Sequence, residues 1–303
     1  MKLKASAEKI IPSHILLSSG IAFVVFLILR FYQLIKITDS ETGFFTNKSD
    51  ITVALFYILA IAVVFGVLIL SYLSKDIRPV KHGQKNIPGA VTSLALAGSL
   101  VWGAAESISS LMTSYSEYIA SFSSFIKEEG IIVAIAPVLA ILSALVFIVN
   151  AFCMLTGSPL ISKMKLSLLI PVLWSFSQTI SFFSITASYL KVGQLLITIF
   201  GNVFFMLFLF EYARQTAGVS AEPSAFLFFA TAVISAFLLL SASVPNLIFN
   251  LFLDGKYVVE ASPSYTYSVF AGLFAISSVI PVIKQKKIVP VSEFSDNAQE
   301  AQN

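Results

Sequence analysis

Glu106, in the stretch LVWGAAESIS, and Arg30, in FLILRFYQ, are charges set inside runs that otherwise read as bilayer-spanning. A charge at the centre of a spanning helix costs roughly 2.5 to 3.5 kcal/mol on insertion scales, so each needs an opposite charge, water or a ligand beside it. Counted at 1.5 Å per residue from the starts of their helices, Arg30 lies about 25 Å and Glu106 about 27 Å along, at a common depth. The pair is therefore predicted to meet, either as a salt bridge joining the first and third helices or as part of an outward-opening polar cavity. Two further polar residues extend the set: Gln178 in VLWSFSQTIS and Asn246 in SASVPNLIFN. Pro245 lacks an N–H and so frees the carbonyl of Ser241, four residues back, as a contact near Asn246. Arg30, Glu106, Gln178, Ser241 and Asn246 are the predicted substrate-binding residues, and they offer charge and hydrogen bonds to a small polar solute or ion.

Bond-breaking chemistry lacks its usual parts. The two histidines, His14 and His82, fall at the edge of the first span and in a loop, so neither an HExxH pair nor a His/Cys cluster is present to hold a metal. There is no Walker A loop, no serine with an intramembrane base and no pair of aspartates within a span. No lysine sits mid-span, as a retinal Schiff base requires. Neither cofactor nor metal is expected, and an enzyme is the least favoured class.

The elements that must position these residues follow from composition. Of 303 residues, 57% are hydrophobic and 12% charged, with a mean hydropathy of +0.90, which excludes a water-soluble fold. A net charge of +3, scattered along the chain, provides no nucleic-acid footprint. The single cysteine, Cys153, is assigned to core packing. A bilayer core takes about 20 apolar residues per helix, and eight stretches qualify, at about 13–35, 51–73, 88–113, 131–156, 166–190, 193–214, 223–252 and 264–283. The first is read as a retained span because no small-residue cleavage site follows it.

The predicted fold is thus all-α: a polytopic membrane bundle of about eight helices, with residues 1–287 as one transmembrane domain and 288–303 as a polar, disordered cytoplasmic tail. Lys2, Lys4, Lys9, Lys75, Arg78, Lys81, Lys85, Lys163, Lys165, Arg214, Lys284, Lys286 and Lys287 fall on one side, against Lys36, Lys48, Lys127, Lys191 and Lys256 on the other. That imbalance predicts both termini in the cytoplasm, and the expected setting is the plasma membrane.

Both tryptophans stand in similar surroundings: Trp102 precedes Glu106, and Trp174 precedes Gln178, by four residues. The third and fifth helices cross in the same direction, as duplicated helical hairpins would. The stripes Ser99, Gly103, Glu106, Ser110 and Ser177, Ser181, Ser184, Ser188 give both helices a small, polar face suited to close packing. Asn150 and Asn202 are assigned to hydrogen bonds between helices, and FEYARQTAG, with Glu211, Tyr212, Arg214 and Gly218, to an interfacial anchor and helix stop. Met112, Tyr115, Ile119, Phe122 and Ile126 recur at helical spacing, so the third helix is predicted to run on into an interfacial segment. Asn47, Lys48 and Ser49 match a glycosylation sequon, next to an aromatic pair, Phe44 and Phe45, suited to the headgroup level.

Together these readings point to a carrier or permease-like protein for a small polar solute or ion. The alternative is a non-transporting sensor, or a subunit with a membrane protein partner. The lipid bilayer is the partner common to both.

Overall fold

The computed structural model describes residues 11–38, 50–74, 77, 85–117, 131–184, 192–219, 225–252 and 262–284. Among them the architecture is helical: α1 (Pro12–Lys36), α2 (Ile51–Leu73), α3 (Ile87–Glu117), α4 (Ile131–Thr156), α5 (Ile170–Ser184), α6 (Val192–Thr216), α7 (Ala225–Phe252) and α8 (Ser262–Ser278). A 3-10 turn, Ser167–Leu169, leads into α5, and a short helix, Ile280–Lys284, prolongs α8. Seven of these helices are long and apolar enough to cross a bilayer, so the chain is an all-α, multi-pass membrane bundle. The fifth expected span is apolar over Ser167–Phe182 but short of that length; its expected continuation over 185–190 lies outside the described residues. So do the sequon at Asn47, the Phe44 and Phe45 pair, the interfacial segment beyond Glu117 and the tail.

Local chemistry sets the helix ends. Pro12 begins α1 at the position where a missing N–H costs nothing. Asp50 caps α2 by accepting from the Thr52 amide at 2.8 Å, and Asn86 caps α3 by accepting from the Gly89 amide at 3.1 Å. Gly157 (φ 75°) and Gly218 (φ 68°) take the left-handed conformation just after α4 and α6. At the second, Val219 N–H donates to the Arg214 carbonyl and Gly218 N–H to that of Gln215, a paired closure that satisfies the last carbonyls. The expected helix stop at Gly218 is therefore present.

Six helices pack in a closed ring, α3 on α4, α4 on α5, α5 on α6, α6 on α7, α7 on α8, and α8 back on α3. α1 and α2 pack on each other and on the side of α7 facing away from the ring. Enclosed from both sides, α7 has 83% of its most apolar window buried, against 17% for α2. Glycines permit the closest approaches: a Cβ on Gly201 of α6 would stand 2.9 Å from Leu239 Cδ2 of α7, and one on Gly272 of α8 would stand 2.7 Å from Leu240 Cγ.

Aromatic side chains cross the ring. Phe274 of α8 meets Phe147 of α4 at 5.2 Å, Phe208 of α6 at 5.9 Å and Tyr212 at 5.7 Å between ring centroids. Beside this cluster, toward the face where α1 begins (the N face), Tyr212 donates to Asn150 Oδ1 at 2.6 Å, and Ser93 of α3 donates to the Phe147 carbonyl at 2.8 Å. Asn150 thus bonds between helices, as expected. At the N face itself, Asn86 Nδ2 donates to the Ser277 carbonyl at 2.9 Å, and the Asn86 amide donates to the Met154 carbonyl at 3.0 Å. One side chain and its backbone therefore tie α3, α4 and α8 together.

Candidate functional site

Glu106 and Arg30 do not meet. α1 packs on α2 and α7, while α3 packs on α4 and α8, so a shared depth does not become a shared interface. Glu106 accepts from the indole N–H of Trp102, one turn back on its own helix, at 2.7 Å. Trp102 is 62% exposed, on the outside of the ring. Arg30 is buried, its guanidinium 5.4 Å from the Phe56 ring centroid of α2 and 3.5 Å from Gln33 Oε1. Gln33, fully buried, donates to the Thr52 carbonyl at 2.9 Å, locking α1 to the start of α2. The arginine has cation–π and hydrogen-bond contacts within its own hairpin.

The other residues of the expected set divide between two faces of α7. Phe237, four residues before Ser241, packs against Phe26 and Phe23 of α1 at 5.1 and 6.5 Å. Ser241 therefore lies on the α1 side, one turn further from the N face, as Arg30 lies one turn beyond Phe26. Its hydroxyl donates to the Phe237 carbonyl. Asn246 is seven residues beyond Leu239, the residue pressed against Gly201, and so lies on the α6 side. Gln178 is half-buried on α5. Arg30 and Ser241 share an interface; Asn246 lies on another side of α7, Gln178 on α5, and Glu106 on the outside of the ring.

Asn246 is the anomaly of the core. It is wholly buried, yet neither its amide nitrogen nor its amide oxygen has a hydrogen-bond partner among the described residues. An unsatisfied buried polar group costs about 1–3 kcal/mol, and most are eliminated from native cores. The helix around it is also open, because Pro245 inside α7 has no N–H to give the Ser241 carbonyl. Across the interface, Asn202 of α6 donates to the Thr198 carbonyl of its own helix at 3.0 Å, while its Oδ1 is buried without a partner. Asn202 thus bonds along its helix and not between helices. Two carboxamides with spare capacity consequently stand on facing helices, about 12 Å apart along the axis. They can donate to and accept from a neutral polar molecule, and they carry no acid, base or nucleophile. Among the described residues, no three His, Cys, Asp or Glu side chains gather as a metal site.

Sequence reasoning reached Asn246 and Ser241 through rarity, as a polar residue and a proline in an apolar span. It missed Asn86 and Gln33, although an asparagine preceding an apolar helix by one residue is a capping signal. Glu211 and Arg214 pair at 2.8 Å at the end of α6, while Tyr212 between them turns into the aromatic cluster.

The two tryptophan segments have unlike surroundings. Trp174 is 1% exposed, its ring 5.5 Å from that of Tyr267 across the bundle, whereas Trp102 faces outward. Comparison with known proteins finds no matching family, no characterised relative and no similar solved structure.

Proposed function

We propose that the protein is a carrier for a small, neutral, polar solute, bound between α6 and α7 by Asn246, with Asn202 as a further contact. The single observation that carries this reading is a fully buried carboxamide with every hydrogen-bonding atom unused. A ligand offering one donor and one acceptor would satisfy it, and the open helix at Pro245 gives α7 a place to bend as the solute enters or leaves. Ser241 and Arg30, on the other face of α7, would respond to that bend, and Gln178 on α5 would line the approach. In a plasma-membrane setting, the lysine and arginine imbalance supports a cytoplasmic N face, which puts Asn246 in the half nearer the outside.

Accessibility tests the site. Asn246→Cys, made together with Cys153→Ala, should react with a membrane-impermeant thiol reagent added from outside, and Asn202→Cys should react more slowly. A folded variant whose thiol at 246 stays inert would mean dry helix packing, as in a non-transporting subunit, and would end the carrier reading.

Stability provides a second measurement. Asn246→Leu replaces the stranded amide with an apolar group of the same branching and heavy-atom count, so the bundle should become more resistant to denaturant by about 1–3 kcal/mol while solute uptake is lost. Destabilisation by the same change would show that the amide has native partners, contrary to the proposal.

A further inference from the structure

A carboxylate on the outer surface of the bundle calls for its own explanation, independent of the carrier site. Glu106 stands 19 residues beyond Ile87, the first residue of α3, or about 28 Å along the helix, close to the far boundary of a hydrocarbon core about 30 Å thick. Trp102 lies one turn deeper on the same face, its ring mostly uncovered by protein. The bond from its indole nitrogen to Glu106 Oε1 holds the two side chains in one orientation. Ser109, Ser110 and Thr113 continue the stripe one and two turns further, all exposed. The face therefore presents, in order of height, an aromatic surface, a carboxylate and hydroxyls.

The two deeper levels suit a cation. The negative face of an indole attracts alkylammonium ions more strongly than any other side-chain ring, and a carboxylate at van der Waals distance adds its charge in a medium of low dielectric. Acyl chains offer a carboxylate nothing, and lipid-facing charges are disfavoured unless an opposite charge is at hand. At the headgroup level of a bilayer, the abundant opposite charge is the ammonium of a zwitterionic phospholipid.

We propose that Trp102 and Glu106 form a surface site for the ammonium group of a zwitterionic phospholipid. The site lies on the outside of the ring and uses none of the residues assigned to solute binding. Because both key side chains are peripheral, replacing them leaves the packed core intact.

The test is lipid retention by the full chain, followed by native mass spectrometry, with phosphatidylethanolamine and phosphatidylglycerol of identical acyl chains as probes. The protein should retain phosphatidylethanolamine about tenfold more strongly, because the anionic lipid meets a like charge. Glu106→Gln should remove most of that preference, and Trp102→Leu should lower phosphatidylethanolamine binding by about threefold. Equal retention of the two lipids by the unaltered protein, or an unchanged preference in Glu106→Gln, would overturn the proposal. Water-soluble glycerophosphoethanolamine at equal concentration should not displace the lipid. Displacement would assign the site to free amines and refute a lipid role.

Discussion

Trp174→Ala should destabilise the bundle by about 3–5 kcal/mol, the usual cost of emptying a large buried aromatic site, whereas Trp102→Ala should cost about 1 kcal/mol, mainly a lost hydrogen bond. Trp174 is 1% exposed and seated on Tyr267; Trp102 is 62% exposed on the outside of the ring. Unfolding in mixed micelles, followed by a probe that does not depend on tryptophan, gives both numbers. Equal losses would contradict the packing described for α5 and α8. The comparison also bears on the resemblance between the two segments, since two residues in matching sequence contexts are assigned unequal energetic roles.

The second large effect belongs to Asn86. Its side chain caps α3 and bonds the Ser277 carbonyl of α8. Asn86→Ala removes a cap worth about 1 kcal/mol and leaves a buried carbonyl unpaired at about 1–3 kcal/mol, a combined loss of about 2–4 kcal/mol. Asn86→Asp keeps the capping oxygen but lacks the amide donor, so it should fall between the two. An aspartate variant as stable as the native protein would show that the bond to Ser277 contributes nothing. Gly89→Ala provides a check from the other side, because its Cβ would lie 2.5 Å from Asn86 Nδ2 and must push the amide away.

Much of the helical architecture was legible in the chain because a bilayer leaves few options. Every backbone group must be satisfied within its own helix, so spans show as uninterrupted apolar runs, and Pro12 and Gly218 mark ends by the φ values they require. Sequence also gives depth, since rise per residue is constant, and Glu106 and Arg30 were correctly read as lying far along their helices. What it does not give is the lateral order of the helices. Glu106 and Arg30 were paired on depth alone, but α1 and α3 pack on different neighbours, so Glu106 meets Trp102 on its own helix, while Arg30 has Phe56 and Gln33 of the first hairpin among its contacts. Asn246 was visible as a rare polar residue beside a proline. That its amide has no partner depends on what α6 presents opposite it, which the residues of α7 do not encode.

The Arg30 hairpin has a consequence for the order in which the molecule is made. α1 and α2 lean on α7, yet the ribosome delivers α7 only after the whole of α3 to α6. During that interval the hairpin must wait in the membrane with a guanidinium and a carboxamide inside it. Phe56, Thr52 and Gln33 all belong to the hairpin, so the guanidinium has a ring and a carboxamide beside it, and the carboxamide a carbonyl, before α7 arrives. The helix that keys the two halves together is therefore free to be among the last inserted.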